Sequence, residues 1–295
     1  MLDAEKASAV AFTVPLGAAG SDVEVTGSDI ERMKPLKCMR DNPINLWMSL
    51  LQARDNKSMM LQQMSSATTH AMKPSHFYNS FFFETLFRCL DMEDMDGLFK
   101  KPDDEEQVKE DSAALYRLLD DCSAYSQVQR FSRKIISDIF DLDKLVVPIN
   151  KGKNHWLICV AHIQKKRLQL YDSLDGGGGW EYLHGLKYYL MKECAARGRH
   201  IDFDGWELIR CGQNTPQQWN GKDCGAHACS FADHVIQDLP LPVSFTESQI
   251  LLFRQRITYD LLRMAGGTIA HWDWVVCWLR TSQWMTHAVK GYTIA

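Results

Sequence analysis

The stretch Gln218-Trp219-Asn220-Gly221-Lys222-Asp223-Cys224-Gly225 sets a cysteine at the opening of an apolar helical run, Ala226 to Val235. A glutamine stands six positions before that cysteine. A helix N-terminus carries positive potential and stabilises a thiolate. A side-chain amide beside it donates to an oxyanion as charge develops there. These two features make half of a cysteine hydrolase; the missing half is a base. His155 opens a strand-like run, Asp172 closes the next, and Gln164-Lys165-Lys166 between them reads as a hairpin turn. In an antiparallel hairpin the start of one strand lies beside the end of the other, so His155 and Asp172 are expected to be neighbours. The aspartate would fix the imidazole tautomer and leave the other ring nitrogen to take a thiol proton. Gly225, with no Cβ, is read as room for a substrate backbone. A His–Asp pair on a hairpin is by itself most often a surface pair. The Gln218–Cys224 pattern is what gives it a catalytic reading.

These residues need a scaffold. The Asp41-Asn42-Pro43 segment predicts a helix capped by Asn42, with Pro43 in its first turn and Ile44, Trp47, Met48 and Leu51 on one face. The aromatic run His76 to Leu90 predicts a buried helix. Residues 91–112 are acidic and read as a surface insertion forming a solvated loop. Strands are predicted over Lys144 to Ile149, Trp156 to Ile163, Arg167 to Asp172 and Trp206 to Arg210. Gly176 to Gly179 breaks the chain before a helix from Trp180 to Ala196. Thr246-Glu247-Ser248-Gln249 is a capping box opening a last helix, with Ile250, Phe253, Ile257 and Leu261 as its apolar face. The fold class is therefore α+β, a central mixed β-sheet flanked by helices, with the Cys224 helix packed against it.

The 295 residues suffice for one sizeable core. A net charge of -4 gives no basic surface for nucleic acid or an anionic membrane. No apolar run reaches membrane-spanning length. Nine cysteines, an odd number, and the absence of a secretory leader at the start of this sequence point to a reducing intracellular compartment. Cys89 and Cys159, in apolar runs, are read as buried free thiols. Cys224-x-x-His227-x-Cys229 contains zinc-ligand residue types. On a helix, however, position 229 points away from the face shared by 224 and 227, and no second pair stands nearby. No metal or other cofactor is expected, and His227 is read as a helix-surface residue.

His155-Trp156, Tyr171-Asp172-Ser173 and Gln218-x-Asn220-x-x-Asp223-Cys224-Gly225 together resemble the signature of the Ulp/SENP family of SUMO-specific cysteine proteases, in its order and spacing. Asn79-Ser80-Phe81-Phe82-Phe83, Asp138-Ile139-Phe140 and Leu145-Val146-Val147-Pro148-Ile149 resemble further family segments, and the similarity runs from about Thr26 to Arg263. The resemblance implies the papain-like, adenain-like cysteine protease fold. It implies Cys224 as nucleophile, His155 as base, Asp172 as orienter, and Gln218 with the Cys224 backbone N–H as oxyanion hole. Trp156 would wall a narrow tunnel for a Gly-Gly tail, and Asp41 would face the basic surface of the modifier. The implied partners are SUMO or a SUMO-like modifier and its conjugates, cleaved after Gly-Gly in maturation or deconjugation by a monomer, in the nucleus, the cytoplasm or both.

The chain departs from the family pattern at the tunnel. Cys38 stands where the family has a tryptophan that covers the tail, Met39 where it has leucine, and Arg40 where it has asparagine. A protease for NEDD8 and a non-catalytic modifier-binding module are the alternatives. The expected organisation is a flexible lead-in over 1–25, a protease domain over 26–263 interrupted by 91–112, and a Trp-rich tail over 264–295.

Overall fold

The structure, a computed structural model, describes residues 10–14, 22–64, 73–90, 98–100, 103–135, 138–175 and 177–264. Its centre is a five-stranded mixed sheet in the order β3-β4-β5-β6-β7: His76–Phe77, Lys144–Lys151, His155–His162, Arg167–Tyr171 and Glu207–Arg210. The middle three strands are antiparallel neighbours, whereas β3 joins β4 and β7 joins β6 in parallel. A separate antiparallel pair, β1 (Val10–Val14) and β2 (Val23–Thr26), forms within the segment read as a lead-in.

β5 is buried on both faces, and its residues alternate between two cores. Trp156, Ile158 and Val160 join one cluster with Ile44, Trp47, Cys224 and Phe231; Leu157, Cys159 and Ala161 join the other with Phe82, Leu115, Leu186 and Tyr189. The first face is covered by α2 (Asp41–Met64), α7 (Cys224–Ile236) and α8 (Glu247–Met264). The second carries α3 (Phe81–Leu86), α4 (Glu105–Asp121) and α6 (Trp180–Ala196). Two further short helices are α1 (Gly27–Met33) and α5 (Ala124–Val128). Trp47 ties α2 to the helix that carries the cysteine, its indole N–H donating to the Cys229 carbonyl at 3.2 Å.

The sheet, the Trp180–Ala196 helix and the capping box follow the sequence reading. In the box, the Thr246 N–H donates to Gln249 Oε1 at 2.8 Å and the Gln249 N–H returns to Thr246 Oγ1 at 3.2 Å. Other expectations are corrected. Asn42 does not cap α2, which already includes Asp41; its amide reaches the Glu24 carbonyl and Asp29 instead. The run from His76 is a two-residue strand and then a helix of only six residues, because Tyr78 donates its backbone N–H to Val146 and holds the chain to the sheet. Within the acidic stretch, residues 105–112 are the first turns of α4 rather than loop. Asp104 caps that helix through the Gln107 N–H, and its acidic first turn suits the helix dipole. Cys89 is exposed and disulfide-bonded to Cys122, not a buried free thiol; Cys159 is buried and free. Among the described residues no helix is long and apolar enough to cross a membrane. The expected Trp-rich tail lies, beyond Met264, outside the described residues.

Candidate active site

The sequence folds so that one helix start, one strand start and one strand end converge. Cys224 is the first residue of α7 and only 1% exposed. Its helix buries Ala226, Ala228, Cys229, Phe231, Ala232 and Val235 in the core it shares with β5 and α2. Asp223 occupies the N-cap without capping through its side chain, since its carboxylate is engaged by Asn220 at 2.8 Å and by Arg254 at 2.9 Å. The Cys224 sulfur lies 4.0 Å from the Asn154 carbonyl, directly before the strand that starts at His155.

The β5–β6 ladder ends at Ile158 opposite Tyr171, short of His155. The last step is made by side chains: His155 Nε2 donates to Asp172 Oδ1 at 2.7 Å. The Leu174 N–H donates to the same oxygen at 2.8 Å and fixes the carboxylate. With Nε2 committed, Nδ1 is the nitrogen left for the thiol, and it is buried with no other partner. Burial alone would lower the proton affinity of the ring. Asp172 and then Cys224 outweigh it and raise His155 from 6.5 to about 9. The imidazolium is thus favoured at neutral pH beside a sulfur at a helix N-terminus, the arrangement of an activated thiol.

Gln218 is oriented from both ends. Its backbone N–H donates to the Ser173 carbonyl at 2.9 Å, and Ser173 Oγ donates to its Oε1 at 2.6 Å. The amide nitrogen therefore faces the 220–224 loop, where one N–H goes to the Asn220 carbonyl. The amide carries a second N–H donor. Neighbouring Gln217 locks the same region. Its amide donates to the carbonyls of Asp172 (3.2 Å), Gly212 (3.1 Å) and Thr215 (2.8 Å), while its oxygen accepts the Asp175 N–H at 2.9 Å.

Trp156 is buried, and its indole donates to the Met39 carbonyl at 3.1 Å. It thereby fixes the Cys38–Met39 stretch against β5. Cys38 is half-buried, its sulfur 4.0 Å from the Gly221 carbonyl. Asp41 is half-buried, with Oδ1 accepting from Ser80 at 3.1 Å and Asn150 at 3.5 Å; Arg40 beside it is exposed. The reading of Gly225 as room for a substrate is corrected. A Cβ there would stand 2.8 Å from the Met39 Cβ and 3.1 Å from its sulfur, so the missing side chain accommodates Met39. His227 is also corrected. It is 1% exposed, donates from Nδ1 to the Asp223 carbonyl at 3.0 Å, and packs on Phe231 and Phe245.

The structure thus joins His155, Asp172, Cys224 and Gln218, with Trp156 alongside; Asp41 lies at the start of α2, linked inward through Asn150. Sequence reasoning gave no part to Gln217 or Arg254, named Ser173 only within the signature and Met39 only as a departure from it. Ser173 and Gln217 sit next to predicted site residues, and that adjacency was the available signal. Nothing local marks the contacts of Met39 and Arg254, whose partners are far away in the chain.

Comparison with known proteins places this geometry among relatives. A family model described as "Ulp1 protease family, C-terminal catalytic domain" matches residues 39–266. Sentrin-specific protease 2 of Pongo abelii is 26% identical over 243 residues, 81% of this chain and 32% of that protein. The putative ubiquitin-like-specific protease 1B of Arabidopsis thaliana is 25% identical over 247 residues, 83% of this chain and 59% of that one. The chain spans about a third of the length of the sentrin-specific protease 2 relatives it matches. Among solved structures, the C-terminal Ulp1 protease domain in complex with Smt3, the yeast ortholog of SUMO, superposes with a TM-score of 0.57 at 22% identity, covering 88% of this chain and 92% of that one. That likeness shows a shared fold.

Proposed function

The chain belongs to the Ulp1 protease family, and from that premise we propose that it cleaves after the C-terminal Gly-Gly of SUMO or a SUMO-like modifier. The observation that carries this reading is the 2.7 Å bond from His155 Nε2 to Asp172, which leaves Nδ1 for the thiol of Cys224 at a helix start. The sulfur of Cys224 attacks the glycine carbonyl and its proton resides on His155. Negative charge gathers on the carbonyl oxygen, where the Gln218 amide and the Cys224 backbone N–H donate to it. His155 returns the proton to the departing amine, a lysine side chain or a short C-terminal extension, and a thioester remains. Water, deprotonated by His155, then attacks the thioester and frees the modifier and the thiol.

The protease domain in this proposal covers 26–263, with Trp156 and the Cys38–Met39 stretch as the walls of the tail channel and Asp41 at its rim. Cys38 gives the channel a smaller wall than a tryptophan would. The proposal places its action in the nucleus, the cytoplasm or both.

A panel of C-terminal fluorogenic modifiers, with a propargylamide-terminated SUMO probe, tests the proposal. SUMO substrate turns over, the probe labels Cys224, and Cys224→Ser abolishes turnover while still binding modifier. Turnover of NEDD8 without SUMO overturns the substrate assignment. A folded sample that neither labels nor turns over favours a binding module.

A further inference from the structure

Arg254 lies on α8 and is 1% exposed, one of the largest fully buried side chains among the described residues. Its guanidinium joins two stretches of chain. Nη1 faces the carbonyls of Arg32, Met33 and Lys34 at 3.4, 3.5 and 3.3 Å, where α1 ends. Nη2 donates to the Lys37 carbonyl at 2.8 Å and to the Lys222 carbonyl at 2.9 Å. Nε donates to Asp223 Oδ1 at 2.9 Å, and Nη2 lies 2.7 Å from the same oxygen. Lys37 leads into Cys38 and Met39, whose carbonyl holds Trp156 and whose side chain rests on Gly225. Lys222 and Asp223 lead into Cys224. The planar fork of arginine spreads five N–H donors over both stretches; an ammonium has three donors and no such reach.

The charge matters as much as the geometry. Asp223 directly precedes the sulfur, and its side chain is 11% exposed. An unpaired carboxylate there would oppose a thiolate. His155 on β5, with Asp172 behind it, bears on the sulfur, while one residue before the sulfur the Asp223 carboxylate is held by Arg254 of α8 and by the neutral amide of Asn220.

We propose that Arg254 is a positioning residue for the reaction: it fastens the 32–37 stretch to the loop that delivers Cys224 and neutralises Asp223 beside the thiol. The proposal rests on the reading of Cys224 as nucleophile. Its readout does not, because alkylation of Cys224 is measured whether or not that thiol is the nucleophile.

The full chain is compared with Arg254→Met, Arg254→Lys, Asp223→Asn and the double variant Arg254→Met/Asp223→Asn. Iodoacetamide alkylation of Cys224 is followed by peptide mass spectrometry against pH, and kcat and KM are measured on a SUMO C-terminal fluorogenic substrate. In Arg254→Met, alkylation at pH 7 slows about tenfold and its profile moves to higher pH, because the Asp223 carboxylate, one residue before the sulfur, keeps only the neutral Asn220 and loses its compensating charge. The double variant recovers the alkylation profile while kcat/KM stays low, since the carbonyls of 32–37 and 222 remain unfastened. Arg254→Lys keeps the alkylation profile but raises KM about tenfold, because one ammonium cannot hold both stretches. A role confined to stability would lower the melting temperature without moving the profile. A folded Arg254→Met with the wild-type profile, or a double variant that fails to recover it, overturns the proposal. Should Arg254→Met not fold, an unchanged KM in Arg254→Lys overturns it. Turnover retained in Cys224→Ser would remove the functional reading and leave the alkylation result to judge Arg254 separately.

Discussion

His155 and His162 stand at the two ends of β5 and hold protons with opposite strength. Burial works against the charged form at both ends. At His162 burial is joined by Lys144 and Lys165, and the ring falls to about 4, with neither nitrogen hydrogen-bonded. At His155 burial is outweighed by Asp172 and Cys224, and the ring rises to about 9. One strand therefore carries a neutral packing imidazole at one end and an imidazolium at the other. The difference teaches that burial alone does not make a base. An anion at hydrogen-bond distance, delivered here by the strand that follows, reverses its effect.

The largest test removes that anion. Asp172→Asn should make His155 resemble His162, with its ring titrating below 6.5 and turnover falling on the order of 10³–10⁴-fold, as when a triad loses its orienting carboxylate. Histidine NMR titration and steady-state kinetics check this; a ring still titrating near 9 would show that the contrast between the two ends has another origin.

A smaller effect belongs to the far end. His162 and His184 are both depressed to about 4, chiefly by burial. The unfolded chain binds these protons more readily, so their contribution to stability is present above about 6.5 and is lost as pH falls toward 4, on the order of 3 kcal/mol for each ring. His162→Leu removes one of them. Urea unfolding at pH 4.5 and pH 7 should then show a reduced acid sensitivity with turnover changed less than about twofold. Acid sensitivity equal to wild type would break the assignment of His162 as a neutral packing residue.

The smallest effect is on the alkaline side. His155 is raised, so its contribution to stability is present below 6.5 and lost as pH rises through about 9. Turnover should fall in the same window, about tenfold by pH 10, with apparent values that belong to the Cys224–His155 pair. A flat profile from pH 8 to 10 would separate the reaction from the His155 proton.

The hairpin that unites His155 and Asp172 was legible because each residue sits at a strand boundary marked by local signals. The Trp180–Ala196 helix was legible for a similar reason, since four glycines punctuate its start. The aromatic run after His76 misled because apolar density carries no period of its own, and only the pairing of Tyr78 with Val146 shows where the chain leaves the sheet. Residues 105–112 misled in the opposite way: acidic density suggested solvated loop, but the same acids suit the first turn of a helix. Gly225 was recognised as necessary for the wrong reason, because its neighbour Met39 lies far back in the chain. Nothing in the sequence sets Arg254 apart from the other charges of its helix. Its burial arises only when α1, the 222–223 loop and α8 meet, and no local pattern encodes that meeting.

Arg254 follows Asp223 by 31 residues. A ribosome releases His155, Asp172, Gln218 and Cys224 first, in that order, and the guanidinium that fastens their approach last. A growing chain thus carries its thiol and its base before it carries the clamp. A chain halted after Ile236 holds His155, Asp172, Gln218 and Cys224 without the guanidinium that fastens the loop before Cys224.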